Sequence, residues 1–127
     1  MLNSTASEHY RMLELASRIE TATPQARVGL LNEELLRTLG HCIAAAANGG
    51  AVIGGNDVAK AQSIFAALNS SLALEQGSDL TPTIARVYSV CRENLDDAAA
   101  TADTHKLTEI RNAISDIAYA WQALADG

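Results

Sequence analysis

Residues 104–124 read THKLTEIRNAISDIAYAWQAL, and within them Leu107, Ile110, Ile114, Ile117, Trp121 and Leu124 recur at alternating steps of three and four. That spacing keeps all six on one face of an α-helix and is the pattern of a helix packed along its length against other helices. A half-buried strand would need alternation at every second residue instead. The segment follows Asp103, a residue type that caps free N–H groups at helix starts.

Three further stretches of similar length show the same period. One opens at Thr23-Pro24, where Thr can cap and Pro at the first helical position has no N–H to lose. Its stripe is Val28, Leu31, Leu35, Leu39, Cys42 and Ala46, and it stops at Asn48-Gly49-Gly50. The next is expected to use Asp57 as cap and to present Val58, Ala61, Phe65, Leu68 and Leu72, with Ile64 beside them, ending near Gly77. The third repeats the Thr-Pro device at Thr81-Pro82 and carries Ile84, Val87, Cys91, Leu95 and Ala98, with Tyr88 flanking. Helices over roughly 25–47, 58–74, 83–100 and 104–124, joined by short connections, predict an all-α, antiparallel up-down-up-down four-helix bundle. A short extra N-terminal helix bearing Tyr10, Leu13, Ala16 and Ile19 must rest on something, because it is too short to be stable alone. The expected organisation is a single helical-bundle domain over 1–127, with 1–22 as an N-terminal cap segment and 23–125 as the bundle. The glycine-flanked stretch Gly49–Asn56 is expected to be an irregular, mobile loop.

Composition agrees with helices and narrows the function. Apolar residues make up 48% of the chain, with Ala the largest contributor and aromatics only 4%. Nine Lys and Arg against 15 Asp and Glu give a net charge of −6 and leave no basic stripe for a phosphate backbone. Nucleic acid is therefore not an expected partner. No apolar run approaches the roughly 20 residues that span a bilayer, so no stable membrane insertion is expected. The polar start MLNSTASEHYR lacks the order of a secretory signal, and the expected location is cytoplasmic. Cys42 and Cys91 have no CxxC spacing and read as buried, reduced side chains.

Catalytic constellations are not evident. None of the three histidines has an acid three positions upstream, so the Glu-x-x-His pair of di-iron bundles is missing. His105 and Glu109 are one turn apart and fit a solvated pair better than a metal site. His41 and Cys42 are neighbours whose side chains diverge by about 100° on a helix, which is not a nucleophilic dyad. The expectation is no enzyme, no metal and no cofactor. By contrast, Leu30, Leu36, Ile64, Leu74, Val90 and Leu124 lie off or at the edge of the narrow seams. Apolar side chains on the outer grooves of a bundle suit the binding of an amphipathic helix.

One stretch is distinctive beyond its period. Lys60 to Gly77, KAQSIFAALNSSLALEQG, resembles the signature of the flagellin export chaperones, the FliS family. The resemblance extends to Tyr10, to Thr21-Ala22-Thr23-Pro24, to Val87-Tyr88 and to Ala120-Trp121, nearly the whole chain in order and spacing. Departures are Asn32-Glu33-Glu34 where the family usually has Tyr-Asp-Gly, Ala73 where an Asp is usual, and Ser78 where a second Gly commonly follows Gly77. The resemblance implies a chaperone that binds the disordered C-terminal segment of flagellin, prevents premature polymerisation, and delivers it to the cytoplasmic domain of the flagellar type III export gate. On family similarity and apolar spacing, Ile64, Leu68, Leu72, Val87 and Tyr88 are the candidate cargo contacts and Tyr10 the candidate gate contact. The N-terminal stretch is expected to fold over an apolar groove as a stand-in for cargo. Two other readings stay open at this point: a histidine phosphotransfer module using His41, and a general helical adaptor. A homodimer is also possible.

Overall fold

The computed structural model describes residues 2–49, 55–74 and 80–126, and the side chains of 6–49, 55–74 and 80–124 among them. Five helices account for nearly all of these: α1 Leu2–Thr21, α2 Pro24–Ala47, α3 Asn56–Ala73, α4 Thr81–Ala100 and α5 Thr104–Asp126. Helices α2 to α5 form the four-helix bundle, each packed on its two ring neighbours, and α1 lies on α2. The expected loop at 49–56 falls largely outside the described residues, as does the expected stop at Gly77.

The stripes read from sequence form most of the core, except that Val87 is half-buried, Leu124 is exposed and Tyr88 lies inside. Val28, Leu35, Leu39 and Cys42 of α2, Ala61, Phe65 and Leu68 of α3, Leu95 and Ala98 of α4, and Leu107 and Ile114 of α5 are fully buried. Burying a Leu, Ile or Phe side chain contributes about 1.5–3 kcal/mol each, so these seams dominate the stability of the bundle. Trp121 closes one end: its indole N–H donates at 2.8 Å to the Gln25 carbonyl, tying the end of α5 to the start of α2. Of the apolar surplus, Leu30 and Leu36 are half-buried, Ile64 is buried, and Leu74, Val90 and Leu124 are exposed.

The helix ends show where local sequence decides and where it does not. The Thr23 hydroxyl accepts from the Ala26 N–H at 3.1 Å, and the Asp103 carboxylate accepts from the Lys106 N–H at 3.0 Å, as their types demand. Asp57 is not the cap of α3. Gly55 is, in extended backbone, and Asp57 sits inside the first turn, where its charge favours the positive end of the helix. Nor does Thr81 cap α4: the cap is Leu80, Thr81 is already helical, and its hydroxyl is buried with no partner among the described residues. Pro82 tolerates this shift because the second helical N–H is an orphan as well. At the end of α2, Gly49 takes φ +85°, the left-handed position that stops the helix. At the end of α4 the same role falls to Ala102, with φ +51°. The Asp103 N–H reaches back to the Ala98 carbonyl at 2.9 Å and the Ala102 N–H to Ala99 at 3.2 Å, a Schellman ending built on alanine.

Candidate functional site

Helix α1 covers a groove between α2 and α3. Its lining comes from Met12, Leu15, Ala16 and Ile19 above, and from Leu31, Ser63, Ile64 and Ala67 below, with Glu34 and Lys60 set into it. An open cleft of about 240 Å³ runs beside the helix over this floor, so α1 covers it only in part. Met12, Leu15 and Ile19 are only half-buried.

The stripe of α1 that faces the bundle is therefore Met12, Leu15 and Ile19, rather than the Tyr10, Leu13, Ala16 and Ile19 expected from spacing. Tyr10 is 74% exposed and Leu13 55% exposed. The expected set steps by three each time, so at about 100° per residue Tyr10 and Ile19 fall on opposite sides of the helix, whereas Met12, Leu15 and Ile19 step by three and four and share a face. Arg11, beside Met12, turns inward as well and meets Glu34.

Glu34 is 5% exposed on the inner face of α2. The Arg11 guanidinium grips it with two parallel bonds, Nη1 to Oε1 at 2.8 Å and Nη2 to Oε2 at 2.7 Å. The Lys60 ammonium from α3 approaches Oε2 at 2.6 Å. Around this lies a looser ring: Glu8 binds Arg11 at 2.8 Å and Arg37 at 3.1 Å, and stands 4.0 Å from Lys60. Burial alone would push the Glu34 carboxyl up, but the Arg11 and Lys60 hydrogen bonds overcome it and hold the group below the usual carboxylate range. Glu8, bonded to Arg11, is lowered to about 2. One buried carboxylate thus joins three helices. The junction of α1 and α2 is tied separately by Arg27, which donates to the Ile19 and Ala22 carbonyls, each at 3.3 Å.

The candidate cargo residues separate into three groups. Ile64 lies on the groove floor, under α1. Val87 is half-buried at the edge of the core. Leu68, Leu72 and Tyr88 lie inside the bundle. Tyr88 does not flank its helix: it is fully buried, its ring meets Phe65 edge-on with centroids 6.1 Å apart, and its hydroxyl donates to Asn32 Oδ1. The groove brings Ile64 together with none of the other four. Sequence reasoning missed the Arg11, Glu34 and Lys60 cluster. The available signal was Glu34 itself, an acid three residues after Leu31 on the apolar face of α2.

Elsewhere, a second cleft of about 290 Å³ between α4 and α5 is lined by Val90, Cys91, Asn94, Lys106, Glu109 and Ile110. His105 and Glu109 pair at 2.8 Å in solvent, and His41, half-exposed, stands 3.6 Å from Asp57. Cys42 and Cys91 are buried free thiols, and burial pushes Cys42 up to about 11. No group of metal-ligating side chains occurs among the described residues, and no described helix is long and apolar enough to cross a membrane.

Comparison with known proteins gives these features a context. Residues 6–127 match the family described as flagellar protein FliS. The chain belongs to the FliS family. A FliS relative from Vibrio cholerae serotype O1, described as a flagellar secretion chaperone, is 24% identical over 115 residues, covering 91% of this chain and 85% of the relative. No solved structure matches the chain significantly.

Proposed function

We propose that this FliS-family chain is a cytoplasmic flagellar export chaperone. Its cargo is the disordered C-terminal segment of flagellin, which it keeps from polymerising and hands to the cytoplasmic domain of the flagellar export gate. The observation that carries this reading is the groove at α1: an apolar trough partly covered by an amphipathic helix of the same chain, whose inward side chains Met12, Leu15 and Ile19 are only half-buried. A filament subunit's terminal segment is amphipathic and lacks its final partners until assembly. A bundle with a replaceable helix offers it temporary ones by direct competition.

In this reading α1 fills the groove in the free protein and gives way to cargo. Ordering a disordered segment costs about 2–5 kcal/mol or more, so cargo must cover more than one trough. The cleft between α4 and α5, with Val90 exposed at its rim, is a further surface along which it can continue. Tyr10 projects away from the bundle on α1, accessible to the gate. Because one helix carries both the groove-facing stripe and Tyr10, movement of α1 on loading alters the presentation of the gate contact.

The test is a titration of the full chain with full-length flagellin and with flagellin lacking its C-terminal segment. Tight binding to the first and none to the second is the expected result. Equal binding to both removes the assignment.

A further inference from the structure

The groove holds more information than its apolar lining. Glu34 Oε2 receives two donors, Arg11 Nη2 and Lys60 Nζ, but Oε1 receives one only, Arg11 Nη1, among the described residues. Lys60 stays on α3 whatever lies in the groove, whereas Arg11 leaves with α1. With α1 gone, water can reach Oε1. Covered by a helix that brings no donor, Oε1 would be a charged acceptor shut away from water without a partner, which is strongly unfavourable.

We infer that Glu34 is a specificity determinant of the groove, selecting helices that carry an arginine directly before their first apolar anchor. The inference rests on the reading that cargo takes the place of α1. The pattern to be met is written in α1 itself: Arg11, Met12, Leu15, Ala16, Ile19, a guanidinium followed by apolar side chains at helical spacing. Arginine is favoured over lysine because the two parallel bonds to Oε1 and Oε2 match a planar fork, while a second ammonium would add a point charge beside Lys60. Glu8 is not part of the requirement. Its carboxylate is 42% exposed and its pairs with Arg37 and Lys60 are solvated, so they contribute little.

The test uses the full chain carrying Leu15→Asp and Ile19→Asp, which releases its own α1, and fluorescent peptides of residues 2–21 added in trans. On this protein the unaltered peptide should bind about five- to thirtyfold more tightly than the Arg11→Gln peptide, between a solvated ion pair and a fully buried one, because Glu34 is buried while the Arg11 side chain is 31% exposed. The Arg11→Lys peptide should fall between them, and the Glu8→Gln peptide should match the unaltered one. Adding Glu34→Gln to the protein should bring the ratio of the first two peptides close to one. Both peptides are measured on one protein, so any loss of folded fraction cancels in the ratio. A ratio near one with Glu34 present, a ratio that survives Glu34→Gln, or no binding of either peptide overturns the inference. Displacement is read separately, by hydrogen exchange of α1 in the unaltered chain saturated with the flagellin C-terminal segment. Protection that does not change there overturns the displacement reading, whatever the peptide ratio shows.

Discussion

The Tyr88 hydroxyl on α4 donates across the diagonal of the bundle to Oδ1 of Asn32 on α2, and both residues are fully buried. The bond is the polar centre of an otherwise apolar layer. Asn32 Nδ2 has no partner among the described residues, so this amide is already half-satisfied. Tyr88→Phe should therefore destabilise the protein by about 1–3 kcal/mol in denaturant unfolding, the cost of orphaning a buried acceptor. Combining it with Asn32→Leu should recover most of that loss. A double variant weaker than either single one would mean that packing, not hydrogen bonding, sets the layer.

Ala102 pays for a left-handed conformation that glycine adopts freely. Its φ of +51° completes the Schellman ending of α4, and a non-glycine residue there is disfavoured by about 1–2 kcal/mol. Ala102→Gly should stabilise the chain by about 1 kcal/mol, less whatever its half-buried methyl contributes. A rise in the denaturant midpoint with an unchanged slope would show it.

Acid should loosen α1 before it melts the bundle. Glu34 has a folded-state value below its ordinary 4.5, held there by Arg11 and Lys60 against burial, so the attachment of α1 through it is complete above that pH and is lost as pH falls through the lowered value. With α1 undocked Glu34 loses Arg11 and binds more protons in that range, which fixes the sign. Protection of α1 amides, measured relative to intrinsic exchange at each pH, should fall as pH drops below about 4.5 while the centres of α2 and α5 remain protected. A uniform loss of protection across all helices would contradict the ionic attachment.

The two thiols should be silent in the native state. Both are buried, Cys42 is pushed up to about 11, and Cys91 is raised as well. Iodoacetamide at neutral pH should leave both unmodified by mass spectrometry until denaturant is added. Rapid labelling of Cys91 would show that the cleft between α4 and α5 opens readily.

Removing residues 1–18 deletes Arg11, Tyr10 and most of the groove cover together. Flagellin binding should tighten or stay unchanged, while binding to the gate's cytoplasmic domain should fall. A large loss of flagellin affinity would make α1 part of the cargo site instead of its occupant.

Much of this architecture is legible in local spacing, and the exceptions have a common cause. The α5 seam from Leu107 to Trp121 is buried as its steps imply, because a helix packed between α2 and α4 leaves one face little choice. Thr23 and Asp103 cap because a cap needs only the next turn. Tyr88 was misplaced because its hydroxyl depends on Asn32, far upstream and on another helix. The inward face of α1 follows from local spacing, because Met12, Leu15 and Ile19 step by three and four while Tyr10, Leu13, Ala16 and Ile19 step by three and drift around the helix; only the bond from Arg11 to Glu34 on α2 lies beyond a local reading. Leu68 and Leu72, expected as cargo contacts on family similarity and apolar spacing, lie in the interior of the bundle, where a signature and a core stripe look alike.

Only Ala22 and Thr23 separate α1 from α2, and Arg27 fastens the joint from below. An ousted α1 therefore cannot diffuse away. It remains within about 30 Å of its seat, the length of a twenty-residue helix, at an effective concentration on the order of millimolar. If cargo occupies that seat, the protein carries its own eluent. Every affinity measured on the intact chain is a difference between guest and tethered rival, and a variant engineered to grip harder by severing the rival would sacrifice the means of letting go.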